Sequence, residues 1–300
     1  MKMKNIFTII VLFTCLSLGA QSDMKVITYN VLEGLGNEAT YGKGRRDSCV
    51  QWLDQQQADV IGLQEFYGSE AMLQEDSKRW EHNYFVKSGG VALTSRKPIE
   101  VIKIYSEKGL ANSVIHCRTF GVDFLVIHLS PSDWKYRLNE AHRIESIVDS
   151  VRLTTDKYIV LGDFNSHSPF DGELYNQNPE LVAKYQKGDR MNKAKGSFNR
   201  NTVNGRLDYS VMSKFLSFPL IDVTEHYVPL HNRFSFPTPI LIGVWRTAGN
   251  IGRTPERIDY ILCSKELSPY CKNVIIHNGE DNDYISDHYP VEAIFDLNSQ

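Results

Sequence analysis

The chain has 300 residues, 42% of them hydrophobic and 23% charged, with a formal net charge of -3. Those proportions exclude a disordered or fibrous protein and allow a substantial core without disulfides or metals to hold it together. The mildly acidic balance argues against a protein that coats nucleic acid through clustered lysines and arginines, although a local basic surface or a bound cation could still serve a nuclease.

Residues 1–20 stand apart. Lys2 and Lys4 give a positive start, Ile6 to Leu18 run almost wholly apolar, and Ser17-Leu18-Gly19-Ala20 supplies small residues before Gln21. This is the pattern of a cleaved secretory signal peptide, and the run is too short for a comfortable membrane span. An uncleaved anchor and a lipid on Cys15 are the competing readings; Leu12-Phe13-Thr14 ahead of Cys15 lacks the small-residue pattern the lipid would need. Removing residues 1–20 takes away two lysines and moves the net charge from -3 to -5. The expectation is an exported protein, periplasmic or extracellular, with no transmembrane segment in the mature chain. With no Pro/Ser linker, charge block or internal repeat, residues 21–300 read as a single domain; a monomer is the expectation, with no sequence feature that fixes the oligomeric state.

The segment 25–31 reads as the first strand. A helix is expected over 45–56, where Cys49, Trp52 and Leu53 recur at helical spacing, followed by a compact apolar strand over 59–64. Strands at 90–94, 101–105, 113–118 and 123–128 come next, each bounded by Gly, Pro or polar residues. The stretch 134–153 places Leu138, Ala141, Ile144, Ile147, Val148 and Val151 on one face of a helix, with Arg137, Glu140 and Glu145 largely elsewhere. Strands at 157–161, 207–212, 257–263, 272–277 and 290–296 complete the set. Many strands with a few interspersed helices imply α/β layering: two packed sheets with helices outside. Cys49, Cys117, Cys263 and Cys271 each sit beside an apolar segment and form no Cys-x-x-Cys, which favours buried free thiols over a Cys263–Cys271 bridge.

Six short motifs share a plan: apolar residues approach, and an acid, amide or imidazole appears where the strand ends. They are Thr28-Tyr29-Asn30, Gln64-Glu65, Ile127-His128-Leu129, Gly162-Asp163-Phe164-Asn165, Arg257-Ile258-Asp259-Tyr260 and Ser286-Asp287-His288. Strand ends and the loops beyond them are where a rigid scaffold places reactive groups. Singly, each has a bland explanation. Asn30 could cap a turn, Glu65 could pair with a lysine, His128 could be a satisfied core histidine, and Asp163 could belong to a turn. Asp259, inside an apolar strand, needs some partner in any case. Six such ends drawn only from Asn, Asp, Glu and His are hard to assign to turns alone.

In its order and residues the set resembles the endonuclease/exonuclease/phosphatase superfamily, over nearly the whole mature chain from Tyr29 to His288. Gly162-Asp163-Phe164-Asn165 and Ser286-Asp287-His288-Tyr289-Pro290 carry the resemblance most specifically. It implies a four-layered α/β sandwich, two packed mixed β-sheets flanked by helices, and a magnesium cofactor with manganese as a substitute. Glu65 is a hard anionic donor suited to such a cation, and Asn30 and Asp287 are its companions by resemblance. Asp163 is placed to orient or deprotonate water, and Asn165 to donate to a phosphate oxygen. Resemblance gives His288 the partner Asp259 that fixes its tautomer, and His128 would contact the phosphate or the leaving oxygen. Whether Asp163 or the His288–Asp259 pair is the general base stays open. In some members an acidic metal ligand lies two residues after the Asn; here Leu32 stands there with Glu33 next, which counts against a second metal. No carboxylate to orient His128 can be placed.

For substrate, Arg253 and Arg257 are candidates to hold phosphates, because a guanidinium suits bidentate phosphate contact; Arg257 could equally be a structural partner of an acid. Trp245 and Arg246 are assigned to the same rim. The reading is a phosphodiesterase. A nuclease on DNA or RNA, a phosphatase or sphingomyelinase-like enzyme on lipid head groups, sugar or inositol phosphates, and an inactive binding module are the alternatives.

Overall fold

Valine, isoleucine, leucine and phenylalanine fill the strands of this chain on both faces, and in the computed structural model those strands pack into two stacked sheets. The structure describes residues 23–217 and 220–297; the expected signal peptide lies outside them. In chain order the strands are β1 (Asp23–Asn30), β2 (Val60–Gln64), β3 (Tyr84–Ser88), β4 (Val91–Ser95), β5 (Glu100–Tyr105), β6 (Val114–Thr119), β7 (Val122–His128), β8 (Tyr158–Asp163), β9 (Thr202–Val203), β10 (Arg206–Leu207), β11 (Leu220–Asp222), β12 (Asp259–Ser264), β13 (Cys271–Ile276) and β14 (Val291–Asp296). One six-stranded sheet has the order β13-β14-β1-β2-β4-β3, the other β11-β12-β8-β7-β6-β5, and β9 and β10 form a small ribbon. Both large sheets are mixed: β1 and β2 run parallel in the first and β7 and β8 in the second, while their other neighbours are antiparallel.

The alternation of a strand sends successive side chains into different layers. In β1, Val26 points between the sheets while Ile27 and Tyr29 point outward; in β7, Phe124 and Val126 face inward and Leu125 and Ile127 outward. The inner layer joins Val26, Val60 and Leu93 to Ile115, Val126, Leu161 and Ile261. The sheets approach closely at Gly62, where a Cβ would stand 2.7 Å from Leu161 Cδ1. Outside the first sheet, the helices Arg45–Gln56 and Glu70–Arg79 bury Trp52, Leu53 and Leu73 against Ile27, Ile61 and Leu63. Outside the second, the helices Trp134–Val151 and Ser210–Ser217 bury Ile144, Val148 and Phe215 against Leu125, Val160 and Leu262. Each such side chain contributes about 1.5–3 kcal/mol by leaving water. The result is the expected helix–sheet–sheet–helix sandwich.

The expected strand over 207–212 is a correction. Only Arg206–Leu207 is extended, and Ser210–Ser217 is a helix because Val211, Met212 and Phe215 fall on one helical face. All four described cysteines are buried and unbridged. No helix among the described residues is long and apolar enough to cross a membrane. At the end of the sandwich where β1 begins, Asp23 lies opposite Asp296 of β14, and Lys272 Nζ bridges them at 2.7 and 2.9 Å.

Candidate active site

The polar strand ends meet at the opposite end of the sandwich from Asp23. Register pairs His128 of β7 with Asp163 of β8, and Asp163 with Asp259 of β12. Asn30 closes β1 beside Gln64, and Glu65 follows at once. The turn that delivers Asp163 needs a glycine before it. Gly162 has φ +146°, and a Cβ there would sit 1.9 Å from the Ile127 carbonyl oxygen. Glu65 and Asn165 themselves take left-handed backbone (φ 58° and 48°). For Glu65 this conformation costs on the order of 1 kcal/mol, and two hydrogen bonds hold it: Asn30 Nδ2 donates to Oε1 at 3.2 Å and Glu33 N to Oε2 at 2.9 Å.

Asp163 is the hub. Asn30 Nδ2 donates to its Oδ2 at 3.0 Å and Asn165 N to its Oδ1 at 2.8 Å. His128 Nε2 lies 3.5 Å and His288 Nε2 3.8 Å from the same Oδ2. Asp259 Oδ2 lies 2.8 Å from His288 Nδ1, which turns Nε2 toward the cleft. Asp259 is itself positioned from behind by Ser235 Oγ, which accepts its backbone N–H at 3.1 Å. Asn112 Nδ2 donates to the His128 carbonyl at 2.9 Å, while His128 Nδ1 is buried with no hydrogen-bond partner. Asn165 Nδ2 donates to the Leu129 carbonyl at 2.9 Å. The loop after His128 is braced from the long helix, where buried Glu140 accepts from Ser130 N at 2.9 Å and buried Arg137 donates to the Ser130 carbonyl at 3.0 Å. Both were expected away from the helix's buried face; polar loop backbone, not apolar core, is what they bury against.

The charges are crowded. Burial raises the Asp163 pKa, with Asp259 adding to the rise and His288 and His128 opposing it. Burial also pushes Asp287 up to about 6, with Glu65 and Asp163 working in the same direction. Burial resists the positive charge of His288, but the Asp259, Asp287 and Asp163 carboxylates outweigh it and set its pKa well above the ordinary imidazole value. Burial likewise works against the Glu65 carboxylate, yet the Glu33 N–H, the two histidines and the Asn30 amide bring its pKa below the usual range.

Two donor sets could grip a cation. Asp163, Asp259 and His288 offer ligand atoms within 4.8 Å of one another. Asp163 has both oxygens taken by amide donors and His288 has Nδ1 taken by Asp259, while Asp259 Oδ1 and His288 Nε2 stay without a hydrogen bond among the described residues. Glu65, Asn30 and Asp287 make an all-oxygen set, the donor type a hard divalent cation prefers over one that includes an imidazole. Asp287 is buried, with Ser286 Oγ 3.5 Å and His288 Nε2 3.9 Å from its Oδ1, and burial together with the Glu65 and Asp163 charges outweighs what these contacts give its carboxylate. That is the arrangement a hard divalent cation relieves.

A cleft of about 510 Å³ lies over these groups. Tyr67, beside Glu65, also lines it, and so do Lys184, Tyr185, Phe236, Trp245 and Arg246. Lys184 and Tyr185 have no counterpart among the residues the sequence singles out, because their helix, Pro179–Ala194, buries only Leu181 and has no apolar stripe to betray it. Trp245 and Arg246 do reach the rim where they were expected. Arg257 is a correction: its guanidinium is fully buried, with Nε 2.6 Å from Asp171 Oδ2 and Nη2 2.7 Å from Asp222 Oδ2, so no face is left for a phosphate. Arg253 is exposed, pairs with Glu180 at 2.8 Å and does not line the cleft.

The chain matches the model of the Endonuclease/Exonuclease/phosphatase family over residues 27–288. No curated protein matches it in sequence. Among solved structures, an AP endonuclease from Archaeoglobus fulgidus is similar with 19% identity and a TM-score of 0.62, over 91% of this chain and 99% of that one. A 3′ phosphatase from Neisseria bound to a product DNA hairpin gives 20% identity and a TM-score of 0.64, over 91% and 99%. A 3′-5′ exonuclease from Neisseria meningitidis gives 19% and 0.64, over 91% and 100%. These likenesses show the same fold. With its strand-end motifs gathered in one cleft and a family model spanning nearly all of the described residues, the chain belongs to the endonuclease/exonuclease/phosphatase family of metal-dependent phosphoester hydrolases.

Proposed function

We propose that the protein is an exported phosphodiesterase that uses a magnesium-type cation and water attack at phosphorus. The observation that carries this reading is Asp163, fixed by two amide donors with two imidazole nitrogens within 3.8 Å, beside the oxygen donors Glu65, Asn30 and Asp287. When bound to those three residues, the cation supplies charge neutralisation at a phosphate oxygen. Asp163, its carboxylate held in one orientation, takes the proton of the attacking water. His288, tied at Nδ1 to Asp259, presents Nε2 to the phosphate, and His128 Nε2 does the same from β7. Asn165 lines the cleft, and its amide, which gives one hydrogen to the Leu129 carbonyl, keeps the other for a phosphate oxygen. Fixed donors of this kind favour the charge that develops at phosphorus over the ground state.

Purified residues 21–300 are expected to cleave bis-p-nitrophenyl phosphate with magnesium or manganese and to stop with chelator. Cleavage that ignores chelator would overturn the metal reading. Export rests on the pattern of residues 1–20; mass spectrometry of secreted protein should find Gln21 at the N-terminus, and an intact Met1 would refute cleavage. A nuclease is the second reading, favoured by the fold neighbour bound to a DNA hairpin; the net charge of -3 speaks against broad nucleic-acid binding. A steep loss of activity with added salt on DNA or RNA would select it. An inactive binding module would show metal binding and no turnover of any ester.

A further inference from the structure

The wall that faces the acidic groups has no part in the chemistry set out above, yet it is built with care. Phe236 packs against His288, ring centres 5.0 Å apart. On the same Phe236 ring sit two cations: Lys184 Nζ is 5.6 Å and Arg246 Cζ 5.7 Å from its centre. Both charges are therefore one aromatic ring away from the catalytic imidazole.

Lys184 is anchored from behind. Glu256 is fully buried and accepts from Lys184, from Tyr185 Oη at 2.5 Å and from His167 Nε2 at 3.1 Å. The Lys184 ammonium keeps two further donors and lines the cleft. Arg246 has no carboxylate partner among the described residues, and its Nε is enclosed without a hydrogen bond. One carboxylate against two cations leaves this wall positive. The proximity is felt: burial lowers the Lys184 pKa, and Arg246 lowers it further against the pull of Glu256. Arg246 lines the cleft with no anionic partner, and an anion brought by a ligand would supply one to its guanidinium.

Beyond the two cations the cleft continues into a second hollow of about 460 Å³ that shares Lys184, Trp245 and Arg246 with the first. Lys187 adds another positive charge to it. Its one acid, Glu180, is paired with Arg253. Trp245 is 58% exposed and offers a flat face at the junction of the two hollows.

We propose that Lys184 and Arg246 form a second phosphate subsite, with Glu256 as the positioning residue of Lys184. Preferred substrates then carry a second phosphate, one ring's width from the scissile one, with the connecting ring against Trp245. This deepens the phosphodiesterase reading and rests on it. A guanidinium beside an ammonium favours a doubly charged phosphate over a neutral polar group. The same chemistry is offered by a nucleotide chain end and by a phosphorylated polyol head group.

The test uses matched pairs that differ only in the second phosphate: a dinucleotide with and without a terminal phosphate, and glycerophosphoinositol with and without a ring phosphate. For each pair the kcat/KM of the phosphorylated member is divided by that of its partner, in the unaltered chain and in Arg246→Met. Arg246 is chosen because removing it strands no buried acid, whereas loss of Lys184 would. The ratio is expected to exceed one in at least one pair and to fall about tenfold in the variant; the pair with the larger fall identifies the source of the phosphate. A ratio that the substitution leaves unmoved overturns the subsite while the hydrolase reading stands. If no pair is turned over, calorimetric binding of the same compounds without metal decides separately. Preference for the phosphorylated member, lost in Arg246→Met, upholds the subsite; equal binding overturns it.

Discussion

Asn30 and Asp163 belong to different sheets and lie 133 residues apart, yet Asn30 Nδ2 donates to Asp163 Oδ2 at 3.0 Å. The same amide nitrogen is 3.2 Å from Glu65 Oε1. One side chain thus fixes both the oxygen assigned to proton transfer and the oxygen assigned to metal. Asn30→Ala should lower kcat/KM on bis-p-nitrophenyl phosphate and raise the magnesium concentration at half-activity, each by about 10- to 100-fold. A magnesium titration that superimposes on that of the unaltered chain would separate Asn30 from the metal.

Asp163→Asn and His288→Ala each remove a group aimed at the reacting phosphate. Activity should fall by about 10²- to 10⁴-fold or more in each, with circular dichroism and chromatographic behaviour unchanged. Should both variants keep their activity on the best substrate, the assigned site is wrong.

Glu65 and Asp287 crowd negative charge together, and burial with that crowding raises the Asp287 pKa to about 6. Magnesium should therefore raise the Tm through preferential binding to the folded state, with the shift growing with concentration. Glu65→Gln should weaken that shift, and scanning calorimetry in the presence and absence of chelator reads it without reference to turnover.

Arg257 and Arg253 should behave oppositely. Arg257→Met leaves Asp222 buried without its cation and Asp171 with only Arg233, 3.9 Å away, which should cost about 3–5 kcal/mol and lower Tm by on the order of 10 °C. Arg253→Ala, which breaks an exposed pair with Glu180, should shift stability by less than about 1 kcal/mol. Equal, small effects in urea denaturation would mean the buried pairs are absent in solution.

Glu256 sets an acid limit. Burial opposes its charge, but Lys184 and His167 overcome this and bring its pKa from 4.5 down to about 2. A carboxyl more acidic folded than unfolded adds stability that is present above about pH 4.5 and lost as pH falls toward 2. Glu256→Gln should flatten the loss of stability between those limits, and a pair of stability curves that stay parallel there would contradict the ion-pair account.

The site was readable in the sequence because its groups stand at or just beyond the ends of short apolar strands: Asn30, His128 and Asp163 are terminal residues of β1, β7 and β8, Asp259 opens β12, Glu65 follows β2, and Asp287 and His288 come shortly before β14. Strand register then brings together what the chain separates. Sequence periodicity failed where burial is not apolar. The helix Pro179–Ala194 buries only Leu181, so Lys184 and Tyr185 gave no signal. Tyr84 of β3 is exposed at a sheet edge, and β11 is three residues long, too short to form a pattern. Arg257 looked like a phosphate ligand because its partners Asp171 and Asp222 lie 86 and 35 positions away. Nothing near it in sequence reveals that its charge is already matched.

The pairing of Asp23 with Asp296 at the far end of β1 and β14 bears on how the molecule can be handled and displayed. Asp23 and Asn30 are the first and last residues of an eight-residue strand, about 23 Å apart at the rise of a strand. A linker, surface or fusion partner joined at either position holds the cleft outward, facing the medium. Because the two positions are neighbours, a short peptide could join them and new ends could be opened in an exposed loop, giving a circular permutant with the same catalytic face.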